Sequence, residues 1–170
     1  MDFSQFLDSV EQRMHGTKFK VSHDVALPDG TPVSLAARRN IFLWKGLVVQ
    51  SQHILVTQKT APTVADFQSL FRSGFEYAKK VNRVPLLRGL QFGYMVIPCI
   101  AAPSMNGAVV AHVTGQPDKH WSLYEFPVAV DLGSGETHYF RGRSLWGALF
   151  FSNLRALASD YLEGNKPGLR

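Results

Sequence analysis

The residues of this chain that could perform chemistry are few and scattered. Its six histidines never pair at the spacing of metal ligands, and its one cysteine, Cys99, lies within an apolar run. A zinc site needs about four converging ligands, commonly with two of them close in sequence, and a disulfide needs two cysteines. The sequence therefore predicts no metal site, no disulfide and no cofactor, and it predicts that Cys99 is a buried, inert thiol.

Catalytic signatures are also missing from the sequence. The glycine-rich patterns that bind phosphates do not occur, and neither does Gly-x-Ser-x-Gly, which carries a nucleophilic serine. Gly133 and Gly135 fit a hairpin turn, where glycine supplies a positive φ. The leading interpretation is therefore a domain without catalytic activity that acts by binding a partner or by self-association into a homo-oligomer.

Composition and periodicity indicate the helices that position these residues. With 170 residues, 45% of them hydrophobic and 12% aromatic, the chain can bury one substantial core, and disorder is excluded. Apolar residues at helical spacing predict a helix from Phe3 to Met14, with Asp2 as its cap. A second amphipathic helix begins after Thr63, with Asp66 in the capping-box position.

Strands are predicted on both sides of the second helix. Residues 40–58 favour a β-hairpin whose turn lies near Ser51 and Gln52. Residues 92–101 form an almost unbroken apolar run, which is typical of a central strand that is covered on both faces.

The last third of the chain completes the fold. Residues 108–113 fit either a helix or a strand, residues 123–131 and 137–141 favour a hairpin, and Ser144 caps a final helix. With the weakly alternating residues 18–22 as the first strand, the order is α-β-β-β-α-β, then the uncertain segment, then β-β-α. We expect one α/β (α+β) domain over residues 1–170, with a mixed central sheet flanked by helices.

Lys59 closes an apolar strand, and an amphipathic helix and a buried strand follow it. This arrangement, over about residues 1–102, resembles the core of restriction-endonuclease-like proteins of the PD-(D/E)XK class. In that class the third strand carries Glu-x-Lys. Lys59 matches the lysine of this motif, and Thr57 stands at the position of the glutamate. The second predicted strand, residues 41–50, contains no carboxylate.

The resemblance implies two alternatives to the leading interpretation. In the PD-(D/E)XK class, acidic residues hold magnesium and the lysine helps to position the attacking water. One alternative is a magnesium-dependent nuclease that uses Lys59 with carboxylates from elsewhere, such as Asp24 or Glu76, since the metal needs acidic ligands. The other is a non-catalytic member that binds nucleic acid.

Ligand-binding candidates lie at strand ends, which commonly border crevices in α/β folds. Arg88 precedes the most buried strand and could bind a phosphate or a carboxylate in a bidentate manner. It could equally bond the carbonyl groups of its own loop. The candidate ligand-binding residues are Gln58, Lys59, Arg88 and Gln91.

The charge balance permits a polyanionic partner. The net charge is +5 with a pI near 9.5, and residues 1–85 hold 11 Lys and Arg against 7 Asp and Glu. Nucleic-acid binding without cleavage would require these cations to cluster on one face. The candidates for such a face are Arg38, Arg39, Lys79, Lys80 and Arg83.

The compartment is predicted from the N-terminus and from the single cysteine. The start of the chain carries an acid where a signal peptide carries a base, and no apolar segment follows it. The longest apolar run, residues 94–102, falls short of the about 20 residues that cross a bilayer. We expect a cytoplasmic protein without a membrane partner.

Overall fold

The computed structural model describes residues 1–43, 47–82, 92–117, 123–142 and 148–164. Three candidate site residues, Arg83, Arg88 and Gln91, lie outside the described residues, and so does the predicted helix cap Ser144. The helices and strands are α1 (Phe3–Met14), β1 (Lys20–Ala26), β2 (Pro32–Leu43), β3 (Val48–Gln58), α2 (Val64–Val81), β4 (Phe92–Ala102), α3 (Gly107–Thr114), β5 (Leu123–Glu125), β6 (Val128–Asp131), β7 (Thr137–His138) and α4 (Ala148–Leu157), which continues as a π-helical turn (Ala158–Leu162).

The strands form one mixed sheet in the order β1-β2-β3-β4-β6-β7, and β5 also pairs with β4. The first three strands pair antiparallel, whereas α2 crosses between β3 and β4, so that these two run parallel. Both β5 and β6 are parallel to β4, and β7 is antiparallel to β6. The α/β (α+β) class and the order α-β-β-β-α-β are confirmed, with helices flanking one mixed sheet.

Each face of the sheet carries its own apolar core. On one face, Phe6 of α1 packs with Ile54 and with the last helix; on the other, Phe67 of α2 packs with Leu55. Every residue of β4 is buried, as expected for the central strand. Gly74 brings α2 close to the sheet, because a Cβ atom there would clash with the Leu55 side chain.

The predicted turn near Ser51 and Gln52 is wrong. Both residues lie inside β3 and are 1% exposed, and Ser51 pairs with Asn40 while Gln52 pairs with Arg39. The chain reverses instead between Leu43 and Val48. The polar run predicts a turn because buried polar residues are uncommon inside strands. In the structure, Ser51 and His53 of this run line the site described below.

Residues 123–131, predicted as one strand, form two. The break falls at Phe126 and Pro127, because proline has no N–H group to donate to the neighbouring strand. Residues 108–113, for which helix and strand were both open, lie in α3, whose cap is the Asn106 side chain. No helix within the described ranges is long and apolar enough to span a bilayer.

Cys99 lies on β4 with no exposed surface, as predicted. Burial raises the pKa of its thiol well above the usual range, because the charged thiolate would lose its hydration. The thiol therefore stays protonated and unreactive.

Candidate anion-binding site

Four consecutive polar residues in the middle of β3 are buried, each with 1% of its surface exposed: Gln50, Ser51, Gln52 and His53. Burying a polar group costs free energy unless it finds a hydrogen-bond partner. Because side chains alternate along a strand, Ser51 and His53 face α2, whereas Gln50 and Gln52 face the layer of α1. β3 therefore carries polar groups into both sides of the domain.

Ser51 and His53 bond to each other on the α2 side of the sheet. The Ser51 Oγ and His53 Nε2 atoms lie 2.8 Å apart, and His53 Nδ1 has no partner among the described residues. Burial, and secondly the positive charge of Arg38, lower the pKa of His53 from 6.5 to about 4. His53 is therefore neutral at pH 7, and when Ser51 donates to Nε2, the Nδ1 atom carries the ring proton and is a free donor.

A cavity of about 240 Å³ lies against this pair. The exposed residues Lys18, Lys20 and Asn40 form its mouth, and half-buried residues follow before the buried Ser51 and His53. Four of the lining residues are cations, and no acidic residue lines the cavity in the described part of the chain. The lining residues are Lys18, Lys20, Arg38, Arg39, Asn40, Ser51, His53 and Asn82.

Arg38 is held by the end of α2. Its Nη1 atom donates to the Val81 carbonyl oxygen at 2.6 Å, and Arg38 is the cross-strand partner of His53. The last carbonyl groups of a helix carry partial negative charge, so they stabilise a cation at this place. Next to it, the Asn40 and Asn82 side chains are 3.4 Å apart, and Asn82 Nδ2 is buried without a hydrogen bond within the described residues.

Arg39 is fixed from the opposite face of β2. Its Nε atom donates to Gln52 Oε1 at 2.7 Å, and its guanidinium carbon lies 4.3 Å from the centre of the Phe19 ring and 5.9 Å from that of Tyr161. Arginine above aromatic rings is attracted by their electron-rich faces. The two neighbouring arginines of β2 are thus oriented by different layers of the domain.

Lys59 and Gln58, the candidates at the end of β3, do not belong to this cavity. The Lys59 Nζ atom lies 3.3 Å from Asp66 Oδ1, and its side chain is 47% exposed. A hydrogen bond from the Thr63 hydroxyl is the main cause that holds the pKa of Asp66 below its usual value. Lys59 lies six residues beyond His53, or about 20 Å along a strand.

The described residues do not bring a carboxylate cluster to Lys59. Glu76 pairs with Lys79 at 2.6 Å, and Asp24 lies on β1, two strands away from β3. In this part of the chain, no group of three or more His, Cys, Asp or Glu residues could hold a metal ion.

The basic residues that the sequence predicts as nucleic-acid contacts lie in different places. Arg38 and Arg39 both line the cavity, although their side chains leave β2 on opposite faces. Lys79 and Lys80 are exposed in the last turn of α2, which ends beside the cavity. Lys79 also lies 4.9 Å above the Phe75 ring.

Sequence reasoning missed Lys18, Lys20, Ser51 and His53. The signal was the run of four polar residues enclosed by apolar ones in a single strand. The two lysines become part of the site only through strand pairing, which places Lys20 opposite Arg38.

Comparisons with protein-family models, curated proteins and solved structures found no match to this chain. The assignment of a function therefore depends on the geometry of the site.

The burial of His53 predicts how stability changes with pH. The imidazole of residue 53 binds a proton near pH 6.5 in the unfolded state and only near pH 4 in the folded state. The contribution of neutral His53 to the free energy of unfolding is therefore complete above pH 6.5 and is lost as the pH falls towards 4. The loss amounts to about 3 kcal/mol. Urea unfolding between pH 7 and pH 4 should show a steeper decline for the wild type than for His53→Gln.

The matched control for this experiment is His15→Gln, which changes an exposed histidine and should keep the wild-type pH dependence. Parallel curves for the wild type and His53→Gln would contradict the burial of a neutral His53.

Proposed function

We propose that this protein binds nucleic acid without cleaving it, and that the phosphate backbone contacts the basic cavity. The observation that carries the proposal is that Lys18, Lys20 and Arg38 line one cavity whose described lining contains no acid, with Arg39 adjoining it from the opposite face of β2. Lysine and arginine are the principal partners of phosphate oxygens in protein complexes with nucleic acids. The net charge of +5 adds attraction at a distance.

Binding is favoured over cleavage by the chemistry of the lining. Metal-dependent cleavage of a phosphodiester needs carboxylates that hold the ion against the substrate, and the cavity supplies cations and neutral donors. These groups bind and orient a phosphate, but they do not anchor a divalent cation. The cytoplasmic location predicted from the sequence belongs to this proposal.

A magnesium-dependent nuclease is the second candidate. It is favoured by the confirmed order α-β-β-β-α-β and by the position of Lys59 immediately after β3, where the resemblance to the PD-(D/E)XK class places its lysine. Against it stand Thr57 at the position of the glutamate and the pairing of Lys59 with Asp66. Self-association, also expected from the sequence, stays a prediction.

The binding proposal predicts a strong dependence on salt. A labelled DNA oligonucleotide should bind tightly at low salt, and its affinity should fall steeply and linearly on logarithmic axes as salt increases. The double variant Lys18→Gln/Lys20→Gln removes two exposed cations of the mouth. It should weaken binding severalfold and reduce the slope by up to about two, because each cation that neutralises a phosphate adds about one to the slope.

Arg72→Gln/Arg141→Gln is the matched control, since it removes two exposed charges that do not line this cavity. It should keep nearly all of the wild-type affinity and slope. Binding that is insensitive to salt would contradict the proposal that phosphate binds at the basic cavity. Two double variants that weaken binding equally would contradict it as well.

The nuclease alternative is tested by Lys59→Ala. We expect no cleavage of single- or double-stranded DNA by the wild type during a magnesium titration at low salt, and unchanged DNA binding by the variant. Magnesium-dependent cleavage by the wild type that disappears in Lys59→Ala would establish the nuclease instead.

A further inference from the structure

The inner end of the basic cavity is closed. Ser51 and His53 form this end, and both are residues of β3, so the backbone of the sheet lies behind them. His53 pairs in the sheet with Val96 of β4, which has no exposed surface. A ligand can therefore enter past the lysines of the mouth, but it cannot pass through the sheet.

The size of the cavity limits what can enter. Its volume of about 240 Å³ is below the roughly 300–1,000 Å³ of sites for drug-sized ligands. Among the described residues, no Phe, Tyr or Trp lines it for stacking against a base. It has room for one phosphate group and part of the attached sugar, and its lining recognises charge and oxygen atoms.

Two buried polar atoms of the residues around the cavity lack partners within the described residues: Nδ1 of His53 and Nδ2 of Asn82. Both belong to side chains that line the cavity. Native proteins pair most of their buried polar groups, so such atoms call for a partner. A phosphate oxygen would accept from the Asn82 amide and from His53 when its proton is on Nδ1.

We propose that the cavity binds a terminal phosphate, a phosphate monoester at the end of a nucleic-acid strand. This inference rests on the proposed function. A terminal phosphate has one attachment and three free oxygens, so it can enter a cavity that is blocked by the sheet at one end with its oxygens first. An internal phosphodiester is attached on both sides, and both neighbouring nucleosides would have to enter with it. A monoester also carries about −1.5 to −2 charges near pH 7, which suits a lining that includes Lys18, Lys20 and Arg38.

The test compares oligonucleotides of one sequence with a label on an internal base. One has a 5′-phosphate, one a 3′-phosphate, and one has hydroxyl groups at both ends. We expect at least a tenfold lower dissociation constant for a phosphorylated strand than for the hydroxyl strand at the same salt concentration. The comparison of 5′ with 3′ identifies the end, and competition by a nucleoside monophosphate tests whether a free nucleotide is also accepted.

Asn82→Ala removes one unpartnered donor at the wall and should reduce the ratio between phosphorylated and hydroxyl strands. The helix cap at this position uses the Asn82 backbone N–H, which the substitution keeps. His53→Phe, if it folds, should abolish the difference in affinity between phosphorylated and hydroxyl strands. If it does not fold, the comparison of Asn82→Ala with the wild type is the deciding measurement. Arg72→Gln, outside the cavity, is the control and should keep the ratio.

The outcomes separate this inference from the function on which it rests. Equal, salt-sensitive binding of all three strands would overturn the terminal-phosphate site and leave nucleic-acid binding in place. The same result follows if Asn82→Ala and Arg72→Gln have identical ratios. No binding of any strand at low salt would overturn both proposals.

Discussion

Four polar residues in succession occupy the middle of β3, and the arrangement of the surrounding layers depends on how these groups are satisfied. Ser51 and His53 bond to each other on one face, and Gln52 accepts from Arg39 on the other. Gln50 is buried, and its amide has no partner within the described residues. Burying these polar side chains in an apolar core costs free energy of folding. Their presence therefore indicates a role other than stability.

β2 connects this strand to both helical layers. Its neighbouring arginines point in opposite directions, since successive side chains of a strand alternate. Arg38 reaches the end of α2, and Arg39 lies above Phe19 and near Tyr161. The cavity is consequently a product of three strands and one helix end, and its two arginines are held in place before any ligand arrives. Such preorganisation reduces the entropy cost of binding.

Local patterns were sufficient to predict much of this fold, but not its site. The capping boxes at Asp2 and Thr63 and the apolar run of β4 depend on neighbours in sequence, and all three are confirmed. Lys20 and Arg38 are brought together by strand pairing across 18 positions, which periodicity does not specify. The polar run of β3 predicts a turn when only sequence neighbours are considered, because its buried partners come from other elements. Lys59 is a candidate because it matches the lysine of a motif. In the structure it pairs with Asp66, a residue of the capping box of α2.

The most direct test of the central claim is to locate the phosphate on the protein. Backbone amide NMR signals should be followed during titration with a 5′-phosphorylated oligonucleotide at low salt. We expect the largest shifts at Asn40, Ser51, His53 and Asn82, with little change at Lys59 and Asp66. Shifts that are centred on Lys59, or that are spread evenly over exposed lysines, would contradict a binding site in the basic cavity.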